Sequence, residues 1–138
     1  MIRPLMPADR PRPSVPSRAL VAFVGRTRLR WLGWLRPGFR HCFVVIEAEG
    51  GCIVCDPMVN RLLIGGLGAV TLDMVRRYCW QQGYTVLDAR IDESGEGASL
   101  LRPFTCVEFV KRALSLRAPG VFTPWQLVRV LRARATAA

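Results

Sequence analysis

The chain has 138 residues, 51% of them hydrophobic, which suits one globular domain with a core of ordinary size. Its formal charge is +10, and 19 of the 20 basic residues are arginine, a bias that a GC-rich genome also produces. The positive field favours anionic partners such as nucleic acid, phospholipid or polyanionic polymers, and the longest apolar stretches are too short to span a bilayer.

In chain order, residues 1 to 18 read as a flexible basic arm, broken by prolines and lacking the apolar core of a signal peptide. The chain is therefore expected in the cytoplasm, or carried in a larger particle, with no signal peptide and no transmembrane segment. Residues 19 to 138 read as a single domain. "ALVAFVG" is a buried strand. "RTRLRWLGWLRPG" is a basic loop whose Trp31 and Trp34 pack on the core, or else cover a cleft or touch lipid or a partner. "FRHCFVVIEAE" and "CIVCDPM" flank Gly50–Gly51 and read as a hairpin. "TLDMVRRYCWQQG" is a helix capped by Thr71 and stopped at Gly83. "YTVLDARI" is a further strand, and "DESGEGAS" is a loop. "TCVEFVKRAL" and "TPWQLVRVLRARA" are helices, each opening on a capping box, Thr105 with Glu108 and Thr123 with Gln126. Pro124 sits at the first position of the last helix. The order describes an α+β fold, a small antiparallel sheet formed early and packed against helices that come late.

Five cysteines is an odd number with no regular framework, which points to a reducing compartment and mostly buried thiols. Cys52 and Cys55 form a CxxC, but on a strand residues three apart point to opposite faces. A redox pair or zinc site is not expected there, and no metal or cofactor is called for.

Cys106 stands one residue inside its helix, at the positive end of the dipole, where a thiol is acidified. The plain alternative is a cysteine that fills core space. A nucleophile needs a base, and the chain has one histidine, His41, on the first hairpin strand. Phe39, His41, Phe43 and Val45 are expected on one face. A lone strand histidine is often structural. A Gly50–Gly51 turn would pair Glu49 with Cys52 and set His41 opposite Asn60 and Asp56 opposite Val45. Both Asp56 and Asn60 then share the histidine face, and either can orient the imidazole. A bulge before Pro57 would bring Asp56 closer.

Taken together, these motifs resemble the papain-like, NlpC/P60-type fold. The histidine strand precedes the cysteine helix, an order similar to that of the circularly permuted group, which includes the lecithin-retinol-acyltransferase-like proteins. "FRHCFVVIEAEGGCIVCDP" resembles their histidine strand, glycine turn and polar-residue strand. "TCVEFVKRAL" resembles their cysteine helix, and "TPWQLVRVL" the helix that trails it. The resemblance covers residues 37 to 132 by motif order. Asp-Pro after the histidine strand departs from the pattern.

The resemblance implies a cysteine hydrolase, peptidase or amidase, or an acyltransferase, working through Cys106, His41 and Asp56, or Asn60 in place of Asp56. Its substrate would be a peptide, amide or acyl compound, with the Cys106 backbone N–H as oxyanion donor. A lipid-modifying acyltransferase using the Trp31–Trp34 loop is one variant. The competing class is an inactive structural or binding module, such as a phage-type particle component holding nucleic acid or a protein assembly partner. Charge alone predicts weak polyanion binding through the arginine-rich surface.

Overall fold

A computed structural model describes residues 18–25, 38–58, 61–91 and 105–137. Its elements run β1 (Arg18–Val24), β2 (His41–Ala48), β3 (Gly51–Pro57), β4 (Leu62–Gly66), α1 (Leu72–Gln81), β5 (Thr85–Arg90), α2 (Cys106–Ala113) and α3 (Pro124–Ala137). The five strands form one antiparallel sheet in the order β4-β3-β2-β1-β5. The fold is thus α+β, as the element order predicts. Trp31, Trp34 and Asn60, and the arm through residue 17, lie outside the described residues. Arg18, placed in the arm from sequence, instead opens β1 opposite Arg90 and beside Glu47.

The sheet is covered on both faces, and strand alternation sorts its side chains between them. On one face Ala19, Val21, Phe23, Cys42, Val44 and Cys55 pack with Val107 and Val110 of α2 and Leu127 and Val128 of α3. On the other, Leu20, Val45 and Cys52 pack against Leu72 of α1. β1 is a central strand with both faces covered, so Ala19 through Phe23 are all buried and its sequence is a continuous apolar run. Cys52 and Cys55 fall on opposite faces, as strand parity requires.

Two further expectations about the sheet need correction. The hairpin pairs Ala48 with Gly51 and Glu47 with Cys52, so its turn is Glu49–Gly50, not Gly50–Gly51. Both glycines are needed, for different reasons. Gly50 takes the left-handed φ of +79° at the second turn position. A Cβ on Gly51 would lie 1.8 Å from the Gly68 carbonyl oxygen. The slip is two residues, so every side chain keeps its face. The second correction is β4, which was not anticipated. "LLIGG" has no alternation to mark a core face, and Leu62, Leu63 and Ile64 are all exposed on this edge strand.

The predicted helix signals act locally. Thr71 accepts the Met74 N–H, and Gly83 takes a φ of +79° just past α1. Thr123 accepts the Gln126 N–H, while the Gln126 side chain accepts from the Thr123 N–H at 3.0 Å, a closed capping box. Among the described residues no helix is long and apolar enough to cross a membrane.

Candidate active site

Cys106 is the first residue of α2. Its N-cap, Thr105, has extended backbone (φ −108°, ψ 167°), and its Oγ1 accepts the Glu108 N–H at 3.2 Å. The cap starts the helix at the thiol. The N–H groups of Cys106 and Val107 precede the first intrahelical bond, which runs from Phe109 N to Thr105 O. α2 lies over β2 and β3, so the thiol packs against the cluster that includes Cys42.

Glu108, in the same turn as Cys106, would by itself oppose a thiolate. It is buried and engaged by Lys111 Nζ at 3.0 Å and by Arg112 Nε at 3.7 Å. Lys111, the only lysine in the chain, also donates to the Val121 carbonyl at 3.1 Å. The carboxylate charge near the thiol is therefore neutralised from within the helix.

His41 is the first residue of β2. Its Nε2 lies 2.6 Å from Asp56 Oδ1, and both side chains are about three-quarters buried. Asp56 was expected level with Val45. Continuing the observed register, in which Val44 faces Cys55, puts Asp56 level with Phe43. That is two residues closer to His41, a diagonal position on the same face that a long side chain can span. No bulge is needed. Phe39 does not share that face as expected. It precedes the strand and stacks with Phe23 and Trp125 on the α2–α3 side, while Phe43 and Val45 pack on the α1 side. His41 sits where regular pleating begins, and its ring interacts with both Asp56 and Cys106.

The electrostatics of the group follow from these contacts. Burial pushes the imidazole down, but bonding to Asp56 and to Cys106 outweighs it and lifts His41 to about 9. The thiol of Cys106 is brought down to about 5, first by hydrogen bonding from the Cys42 thiol, against the cost of burial, and then by His41. Between these limits the favoured state is a thiolate–imidazolium pair. With Nε2 given to Asp56, Nδ1 is the ring nitrogen left for the sulfur.

The structure thus brings Cys106, His41 and Asp56 together at the end of β2, whereas Asn60 lies outside the described residues. Sequence reasoning missed Cys42. It sits beside His41 but on the opposite parity, so a face argument assigns it to the core. Nothing in the sequence places the first residue of α2 above it. Among the described residues no cluster of three or more histidine, cysteine or acidic side chains is placed to hold a metal ion. Comparison with family models, curated proteins and solved structures gave no match.

Proposed function

We propose that the protein is a cysteine hydrolase or acyltransferase of the permuted papain-like kind, acting on a peptide, amide or ester carbonyl. The observation that carries the reading is the His41–Asp56 bond of 2.6 Å beside a helix-start thiol. The Cys106 thiolate attacks the carbonyl carbon, and the carbonyl electrons move to oxygen. The backbone N–H groups at the start of α2 stabilise that oxyanion. As the tetrahedral intermediate collapses, the imidazolium gives its Nδ1 proton to the leaving group, and a thioester to Cys106 remains. Water or an acceptor nucleophile then attacks the thioester while His41 takes its proton. Asp56 holds the ring and stabilises its charge.

The test uses p-nitrophenyl acetate, followed by intact mass and peptide mapping. The expected result is an acetyl group on Cys106, lost with time in the native protein. None forms on Cys106→Ala, and formation is at least about tenfold slower in His41→Ala. Brief iodoacetamide treatment at neutral pH should label Cys106 ahead of Cys42, Cys52, Cys55 and Cys79, whose thiols burial pushes up. Acetylation spread over lysine and surface groups, or indifferent to His41, would sink the reading.

A further inference from the structure

β4 (Leu62–Gly66) is one edge of the sheet, and among the described residues no strand pairs with its outer side. Its register with β3 fixes which way its backbone groups point, together with two bonds, Leu67 N–H to the Cys52 carbonyl and Met58 N–H to the Arg61 carbonyl. Bonded pairs alternate along an antiparallel ladder. Arg61, Leu63, Gly65 and Leu67 therefore bond inward to β3, and the N–H and C=O groups of Leu62, Ile64 and Gly66 face outward. The edge is also apolar: Ile64 is 60% exposed, Leu63 49% and Leu62 42%. Soluble proteins blunt their edge strands with charge, proline or a bulge. β5, the opposite edge, carries Asp88 and Arg90, whereas β4 has no charge, no proline and an unbroken register.

We propose that β4 is a self-association edge, on which a second copy of this chain pairs its own β4 antiparallel about a two-fold axis at Ile64. The strand is complementary to itself in that register. Ile64 meets Ile64, Leu62 meets Gly66 and Leu63 meets Gly65 of the second copy, so each leucine lies opposite a residue without a side chain. Each pair of outward-facing residues exchanges two hydrogen bonds. Within the fold the two glycines have no reason of their own. Neither has a positive φ. Among the described residues a Cβ on Gly66 would meet nothing within 4 Å, and one on Gly65 would touch only Val54, at 3.9 Å. Glycine weakens a strand interior and often marks the close approach of another backbone.

Charge selects the direction of pairing. A parallel second copy would set Arg61 beside Arg61. The antiparallel copy sets Arg61 opposite Leu67, in the row that continues through Cys52 to Glu47 of the second copy, and both Arg61 and Glu47 are exposed. Like charges are kept apart, and opposite charges come to the same end of the joined sheet. The two-fold contact closes on itself and the charged β5 edge does not extend it, so the product is a dimer and not a fibre. A five-residue edge is small against the ~800 Å² per partner of a standard interface. The dimer is therefore weak, with a dissociation constant of about 10⁻⁵ to 10⁻³ M. The inference is independent of the chemistry at Cys106.

The experiment is sedimentation equilibrium of the full chain from about 10⁻⁶ to about 10⁻³ M, with amide hydrogen exchange at both ends of that range. The expected result is a monomer–dimer equilibrium in which the Leu62, Ile64 and Gly66 amides gain at least about tenfold protection on concentration. Those of Leu63 and Gly65, already bonded to β3, gain far less. Ile64→Lys opposes two like charges at the axis and should weaken association at least about tenfold. Gly66→Leu fills the space opposite Leu62 and should weaken it too, whereas unspecific apolar sticking would grow stronger. Trp80→Lys, on the exposed side of α1, should change little. A monomer at every concentration, tighter association in Gly66→Leu, or a loss in Trp80→Lys but not in Ile64→Lys would overturn the inference. So would protection of the three outward amides that is independent of concentration, since a segment of the same chain would then occupy the edge. Should the variants fail to fold, exchange in the native protein still decides it.

Discussion

Asp56 is the residue whose role is most exposed to test. Its carboxylate lies 2.6 Å from His41 Nε2 and is part of what lifts the imidazole, against burial, to about 9. Replacing it with asparagine keeps the acceptor and removes the charge, so the imidazolium loses part of its stabilisation and its pKa falls. The proton on the ring is what the leaving group requires. Acyl transfer in the native protein should therefore decline only as pH rises through about 9, and in Asp56→Asn that decline should begin at lower pH. The low-pH limb, set by Cys106 near 5, should move little. Because the chain has one histidine, its imidazole resonance has one owner, and NMR titration reads the shift directly. An unchanged titration in a folded variant would remove Asp56 from the site. At this scale the sequence was informative for Cys106, His41 and Asp56, because each is marked by local signals: a cap, a lone imidazole, a strand parity. Cys42 carries no such mark, since its influence on Cys106 depends on which helix lies over its strand.

The elements show the same division between local and nonlocal information. Caps and stops at Thr71, Gly83, Thr105 and Thr123 are written within a few residues and were readable. The hairpin register was not, because Glu49–Gly50 and Gly50–Gly51 are both acceptable two-residue turns, and the choice between them is made where Gly51 meets Gly68. β4 was missed because its pairing with β3, not its own pattern, makes it a strand. The buried pair within α2 belongs to this class too. Glu108 and Lys111 are an ordinary i,i+3 pair on paper, but both side chains are under 10% exposed, and Lys111 also ties α2 to Val121 ahead of α3. Removing one partner leaves a buried charge without its counterpart. Lys111→Met should therefore cost about 3 kcal/mol. Lys111→Met with Glu108→Leu should recover most of it, since no buried charge is left. Urea denaturation midpoints check both. A loss below about 1 kcal/mol for the single variant would show that Arg112, at 3.7 Å, suffices to hold Glu108.

At the scale of the whole molecule, the charge and the site are physically separate. The site is about three-quarters buried and its His41–Asp56 pair lies within the fold, so salt screens it less than surface charges. The +10 charge sits differently. α3 turns Leu127, Val128 and Leu131 inward and leaves Arg129, Arg132 and Arg134 exposed, so one solvent face of the domain is basic. Such a face attracts polyanions through counterion release, without any shape that selects among them. The expected result is weak binding to duplex DNA of any sequence, with a dissociation constant of about 10⁻⁴ to 10⁻⁶ M at physiological salt. If about five phosphates are neutralised, affinity should drop about 500-fold between about 0.05 and 0.2 M salt. Arg129→Glu with Arg132→Glu should weaken binding uniformly and flatten that salt dependence. Alkylation of Cys106 measured over the same salt range should stay nearly constant, because its partners lie inside the fold. Fluorescence anisotropy with two unrelated duplexes provides the measurement. Binding that survived high salt, or preferred one duplex, would mean a surface built to recognise nucleic acid, and would favour a binding module over the enzyme proposed above.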